Sequence, residues 1–264
     1  MLTMIRGAGD IASGIALRLH RAGFGVVMTE IARPTTIRRT VAFSDAVMNG
    51  EQTVEDVTAR YAENWEDACH LLEQGYVPVL VDPACTSREA LHPTVLVDAI
   101  LAKRNLGTTI SDAPVVVGIG PGFTAGVDCH AVVETMRGHT LGRVYYAGAA
   151  LPNTNIPGLI GGFAGERVLR APADGVFMGT RRIGDAVEAG ETVGTVAGVP
   201  MTATITGVLR GLLADGVEVS RGMKSGDVDP RGKAEYCGLV SDKALSVAGG
   251  VLEAVLHFSA KETV

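Results

Sequence analysis

The chain has 264 residues, of which 47% are hydrophobic and 20% charged, a balance that provides a core and excludes disorder as the main state. Its 23 Lys+Arg against 29 Asp+Glu give a net charge of -6, and aromatics make up 5%. It therefore offers neither the basic patch nor the stacking platforms of a nucleic-acid binder, and it is a poor partner for an anionic membrane surface.

The apolar run 2–5 reads as a strand, with no basic region or small-residue cleavage site of a signal peptide. It leads into Arg6-Gly7-Ala8-Gly9-Asp10-Ile11-Ala12-Ser13-Gly14, and Ile11, Ile15, Leu17 and Leu19 follow at roughly helical spacing up to Gly23. A second strand, 26–29, ends at Glu30 and completes a unit the size of one βαβ element. Pro34 opens an expected helix containing Ile37, Val41 and Val47. Further strands are expected at 77–81 and 115–119, with one helix between them at 95–103 and another after them at 128–136. Strands that alternate with helices predict a parallel sheet covered on both faces. No stretch reaches the ~18 apolar residues of a membrane span.

Beyond about residue 165 the texture changes to short β-branched runs cut by glycines. An offset of 32 residues aligns Ala171 with Ala203, Gly175 with Gly207, Val176 with Val208, Gly184 with Gly216, Val187 with Val219 and Gly194 with Gly226. Two copies of one β unit are expected, and their pattern resembles the barrel-sandwich of biotinyl and lipoyl carrier domains. The lysine that such a carrier modifies belongs at the hairpin joining the halves. Here that hairpin reads Ala197-Gly198-Val199-Pro200-Met201, and Lys224 lies elsewhere. The expected module carries neither group. A last apolar stretch, 244–258, predicts a helix packed on the α/β part. The expected architecture is a Rossmann-like α/β domain over 1–165, a barrel-sandwich over 166–231 and a C-terminal helical segment over 232–264.

Gly7-x-Gly9-x-x-Ala12, between a strand and a helix, has the pattern of dinucleotide-binding loops. Gly7 would allow the tight turn, Gly9 would bring a pyrophosphate to the helix N-terminus at Asp10, and Ala12 would let helix and sheet approach. Glu30 stands where an acid accepts from ribose hydroxyls. The same residues also suit a strand–helix turn whose glycines serve packing only. A second loop holds Gly118, Gly120, Gly122 and Gly126 within nine residues, with Thr124 among them. It has no lysine, which excludes a Walker A loop, and its glycine density favours close approach of something to the backbone. Asp128, Cys129 and His130 then begin the expected helix, whose N-terminus would depress a thiol pKa. Cys129 is thus a candidate nucleophile beside Asp128 and His130; capping, packing and solvent-facing roles are the alternatives. Asp227 and Asp229 could chelate a cation or form a turn. The polar run 152–158 could line a site or join domains. No spacing typical of a zinc site occurs, and the four separated cysteines fit reduced thiols in the cytoplasm.

Taken in order, the blocks from Arg6 to Gly14, Glu30 to Arg39, Gly118 to His130 and Gly226 to Arg231 resemble the YqeB-type proteins of the selenium-dependent molybdenum hydroxylase system. The similarity runs from residue 1 to about 258. Through its first glycine loop the chain also distantly resembles xanthine dehydrogenase accessory proteins with a Rossmann domain. Asn155 stands where the family's Pro-Asn-Thr-Gly turn has glycine, and Asn tolerates the left-handed region as well. The resemblance implies an accessory or maturation factor that binds a nucleotide or dinucleotide, of NAD(P) or molybdopterin-nucleotide type. Its implied partner is a molybdenum hydroxylase or the machinery that matures it, and a homo-oligomer is left open. The alternative is an NAD(P)-dependent oxidoreductase, for which Tyr145 and Tyr146 lack a lysine at the usual spacing.

Overall fold

The structure is a computed structural model that describes residues 1–154 and 158–260, so the turn residue Asn155 lies outside the described residues. The chain divides into two compact units. Unit 1 comprises Met1–Ala32, Ala42–Thr154 and Val240–Val264; unit 2 comprises Arg33–Val41 and Asn155–Leu239. These limits differ from those read in the sequence. Unit 2 starts before residue 166, takes in a piece of the N-terminal region and runs on to Leu239, while the C-terminal helix belongs to unit 1, as its expected packing on the α/β part requires.

Unit 1 contains β1 (Leu2–Arg6), α1 (Asp10–Arg21), β2 (Gly25–Glu30), α2 (Ala46–Asn49), β3 (Glu51–Val54), β4 (Val57–Ala62), α3 (Trp65–Glu73) and β5 (Val77–Val81). It continues with α4 (Arg88–Leu91), β6 (Val95–Asp98), β7 (Val115–Ile119), β8 (Thr124–Ala125), β9 (Ala131–Val133), β10 (Val144–Tyr145), β11 (Gly148–Ala149) and α5 (Asp242–Ser259). Nine strands form one sheet in the order β10-β9-β7-β6-β1-β2-β5-β4-β3. From β9 to β4 all neighbours are parallel, and an antiparallel strand closes each edge. The parallel strands are continuous apolar runs because both faces are covered: every residue of β6 and β7 is buried.

Helix α1 is buried nearly all round, with Ile15, Leu17 and Leu19 fully inaccessible. Each such side chain contributes about 1.5–3 kcal/mol on leaving water. Its Gly14 faces α5: a Cβ there would lie 2.7 Å from Ala244 Cβ and 3.0 Å from Val240 Cγ1. Helix α5 begins where Ser241 accepts a hydrogen bond from Ala244 N, and it buries Ala244, Val247, Ala248, Val251, Ala254 and Val255 at helical spacing.

Three expected helices are absent. The segment after Pro34 is largely irregular, with short 3-10 turns at Arg39–Val41 and Phe43–Asp45 before α2. Its β-branched residues are poor helix formers, and tertiary contacts claim it. Ile37 joins the core of unit 2, Ile37 O accepts from Leu212 N at 2.8 Å, and Arg39 Nε donates to Leu212 O at 2.9 Å. Over 95–103 the chain forms strand β6 and then a loop, because Val95, Leu96 and Val97 fill the slot between β1 and β7. Over 128–136 it forms β9, since Ala131, Val132 and Val133 are all buried beside β7. The hairpin β3–β4 and helix α3 were not expected. The signal for α3 was Asn64, whose side chain accepts from Asp67 N as an N-cap.

Unit 2 contains β12 (Val168–Arg170), β13 (Gly175–Gly179), β14 (Ala186–Val187), β15 (Thr192–Val196), β16 (Val199–Thr202), β17 (Gly207–Leu212), β18 (Glu218–Val219) and β19 (Lys224–Asp229). They form two antiparallel four-stranded sheets, β12-β19-β17-β14 and β16-β15-β13-β18; no closed barrel joins the described strands. Strands β13, β14 and β15 start at 175, 186 and 192, and β17, β18 and β19 start 32 residues later, at 207, 218 and 224. Exchanging strands by this offset turns the order of one sheet into that of the other. The repeat is therefore structural. The hairpin β15–β16 turns on Ala197 at φ 49 and Gly198 at φ 80, the two positive values that a tight two-residue hairpin turn prefers.

Candidate ligand site at the carboxyl edge of the large sheet

Strands β1, β2, β5, β6 and β7 are mutually parallel, so the segments after them leave one edge of the sheet, the edge at which α/β folds bind ligands. After β1, Gly7 takes φ +101. A Cβ there would lie 3.1 Å from Ala99 O and 3.2 Å from Ile100 Cα, so this glycine admits the chain that follows β6. Gly7 N donates to Thr29 O at 2.8 Å and Ala8 N donates to Glu30 Oε2 at 2.9 Å. Two loop amides are thus taken by β2. Gly9, the N-cap of α1, and Asp10 are half-buried, and the amides that follow belong to the helical turn that has no intrahelical acceptors. Asp10 favours the helix dipole from that turn and would repel a phosphate there. Ala12 is fully buried, consistent with close helix packing.

Glu30 does not extend freely toward a ribose position. Its Oε2 accepts from Ala8 N and its Oε1 from Ile31 N at 2.8 Å. Burial raises its pKa above the ordinary carboxylate value, and the Ile31 and Ala8 amides only partly oppose that. A carboxylate has further lone pairs, so a ligand hydroxyl can still donate to it.

The sequence reading passed over Arg6, Asp98 and Thr108, which form a buried cluster at this edge. Arg6 Nη1 donates to Thr108 Oγ1 at 3.0 Å and to Asp98 Oδ2 at 3.3 Å, and Thr108 Oγ1 donates to Asp98 Oδ2 at 2.6 Å. Arg6 Nη2 also donates to Pro83 O at 3.1 Å and Leu106 O at 3.3 Å. The one available signal was an arginine ending an otherwise apolar strand.

In the second loop the protein itself is what approaches the glycines. A Cβ on Gly118 would overlap the Phe123 ring, one on Gly120 would lie 2.6 Å from Thr135 Oγ1, and one on Gly122 would lie 2.6 Å from Arg104 Cα. Only Gly126 of this set has open space. The Gly7 and Gly122 loops therefore flank the connection after β6 and each yields to its main chain.

Asp128, Cys129 and His130 start no helix, which removes the reason for an activated thiol. Asp128 Oδ2 accepts from Thr124 N at 2.8 Å and closes a turn. Cys129 is fully buried, and burial pushes its thiol up to about 11. The shift is opposite to the one a nucleophile needs. His130 Nδ1 accepts from Val116 N at 2.9 Å, and burial lowers its pKa. The three neighbours hold backbone and core.

The Asp227 and Asp229 carboxylates lie on β19 and meet arginines. Arg167 Nη1 and Arg210 Nε donate to Asp227 at 2.9 and 2.8 Å, while Arg210 Nη1 and Arg231 Nε donate to Asp229 at 3.1 and 2.9 Å. Burial raises the Asp229 pKa, but the Arg231 hydrogen bonds and the Arg210 and Arg231 charges outweigh it and leave a net lowering. Among the described residues no three His, Cys, Asp or Glu side chains converge as a metal site would require, and no helix is long and apolar enough to cross a membrane.

Fold and edge together define an α/β protein with one large mixed sheet, separate small antiparallel sheets and a candidate ligand site on the large one. The chain is 54% identical over 255 residues to the uncharacterized protein YqeB of Escherichia coli (strain K12). The match covers 97% of this chain and 47% of that relative, so the chain spans about half the relative's length. The resemblance carried by the motif blocks is thus met by a curated relative bearing that name. No protein-family model matches the chain. Similar solved structures include an aspartoacylase family protein of Mesorhizobium loti (18% identity, 24% of this chain and 22% of that one, TM-score 0.22). A succinylglutamate desuccinylase/aspartoacylase of Rhodobacter sphaeroides matches at 25% identity, 24% and 22% coverage and TM-score 0.23. An ectoine utilization protein of Ruegeria pomeroyi matches at 12% identity, 86% and 57% coverage and TM-score 0.23. Similarity at this level supports no functional argument.

Proposed function

We propose that the chain is an accessory or maturation factor of selenium-dependent molybdenum hydroxylases and holds a nucleotide, or a nucleotide-bearing molybdenum cofactor, at the carboxyl edge of the large sheet. The supporting observation is the half-buried Gly9 at the N-terminus of α1, with Glu30 beneath the same loop. Strand β1 has β2 on one side and β6 on the other, so the chain reverses its direction of travel across the sheet here, as at the switch point of a Rossmann-like fold. In this reading unit 2 is a barrel-sandwich of biotinyl or lipoyl type without the lysine, a rigid module that carries no group. The hydroxylase, or its maturation machinery, is the partner, and the cytoplasm is the compartment. The oxidoreductase alternative gains no support from Tyr146, whose hydroxyl donates to Glu253 Oε1 at 3.2 Å.

Thermal unfolding of the parent and of Gly9→Val, with ADP, NAD or a molybdopterin dinucleotide added, tests this reading. A ligand at a hundred times its Kd stabilises the folded state by about 2.7 kcal/mol, and the parent should gain a matching rise in Tm that the variant lacks. Equal shifts in both would put the site elsewhere, and no shift in the parent would make the loop structural.

A further inference from the structure

We propose that Arg104 is a phosphate-binding residue of this edge, an inference that rests on the nucleotide reading and deepens it by naming the residue that takes the ligand's charge. The main chain at Arg104 is held from three directions. Gly122, at φ +111, lies so close that a Cβ on it would stand 2.6 Å from Arg104 Cα and 2.7 Å from Arg104 N. The preceding Lys103 has φ 65 and Leu101 has φ 61, left-handed values that cost a residue with a side chain on the order of 1–2 kcal/mol. The following Asn105 locks a turn: its Oδ1 accepts from Gly107 N at 2.9 Å and Thr108 N at 2.8 Å, and its Nδ2 donates to Thr108 O at 2.7 Å. The buried Arg6–Asp98–Thr108 cluster then ties both ends of the loop together.

That local order serves no bond of the Arg104 side chain. Arg104 is exposed, and its guanidinium makes no hydrogen bond or ion pair among the described residues. Its neighbours at this edge differ. Arg6 is neutralised by Asp98, and Arg88 donates to Cys85 O at 2.8 Å and pairs with Asp112 at 3.5 Å. An exposed cation whose main chain is held against Gly122 thus stands, in a chain of net charge -6, with no protein partner for its donors among the described residues. A guanidinium offers two parallel N–H donors to one oxyanion. That geometry matches a phosphate, the group that the Gly9 loop would also approach.

Titration calorimetry of the parent, Arg104→Ala and Arg104→Lys against ADP and against inorganic pyrophosphate tests the inference. The substitution lies on the surface, so the variants should unfold at the parent's temperature. Loss of a charge-assisted bidentate contact predicts ADP binding about ten- to a hundredfold weaker in Arg104→Ala. Arg104→Lys, which keeps the charge without the fork, should fall between. Parent and Arg104→Ala binding ADP equally would overturn the role of Arg104 and leave the nucleotide reading standing. Pyrophosphate bound as tightly as ADP, and lost in Arg104→Ala, would support Arg104 and overturn the nucleotide reading. A parent that binds neither probe would overturn both.

Discussion

On β19, Asp227 and Asp229 meet Arg167, Arg210 and Arg231 inside the smaller sheet, and nearly every charge has a counter-charge within 3.1 Å. At the carboxyl edge of the large sheet, Arg6 is paired in the same way, but Arg104 is held by its main chain and its charge is left to the solvent. In the sequence the first region stands out for its two carboxylates and the second for its glycine loops. Their physics differs. A buried ion-pair network has already used its charges on itself and has none to offer a ligand. A rigid backbone that presents an unpaired cation has kept its charge available.

The comparison is sharpest at Asp227. Asp227→Ala leaves Arg167 and Arg210 buried with a lost partner, so it should cost about 3–5 kcal/mol, read as a fall in urea midpoint, without altering nucleotide affinity in protein that remains folded. A loss below 1 kcal/mol would show that the network is not structural. Gly122→Ala should cost about 1–3 kcal/mol through strain at a positive φ, and it should also weaken ADP binding because it displaces Arg104. Destabilisation with unchanged affinity would separate the glycine from the ligand. Glu30→Gln gives the smallest effect, a change of pH dependence. The folded-state pKa of Glu30 lies above its unfolded value, so its contribution is full below the unfolded pKa and is lost as pH rises through the folded one. The stability of the parent relative to Glu30→Gln should therefore decline from about pH 4 upward. Urea unfolding series at several pH values check this, and a flat difference would contradict it.

Much of the fold was legible. The apolar runs of β1, β2, β5 and β7 and the spacing of α1 and α5 are strong periodic signals, and the 32-residue repeat of unit 2 shows both in its glycines and in its strand positions. Two of the three segments expected as helices share a cause. Short apolar stretches such as Val95–Leu96–Val97 and Ala131–Val132–Val133 suit helix or strand equally until their neighbours are known, and the slots beside β1 and β7 make them strands. Gly7 and Gly9 follow β1 and Glu30 ends β2, the strand–loop positions that local sequence predicts. The helix expected to begin at Asp128 and Cys129 is absent, and strand β9 follows instead. The Arg6–Asp98 pair spans 92 positions of sequence and becomes neighbours only through the parallel pairing of β1 with β6. Arg104 was invisible for the same reason, since only the fold brings it against Gly122.

Native mass spectrometry of the chain purified from its own host, beside Gly9→Val prepared in parallel, tests ligand binding at this edge most directly. The parent should retain a small phosphate-bearing molecule, a nucleotide or a pterin nucleotide, and the variant should fly bare. Two bare chains, unchanged after incubation with saturating ADP and a molybdopterin dinucleotide, would contradict a ligand site at the Gly9 loop.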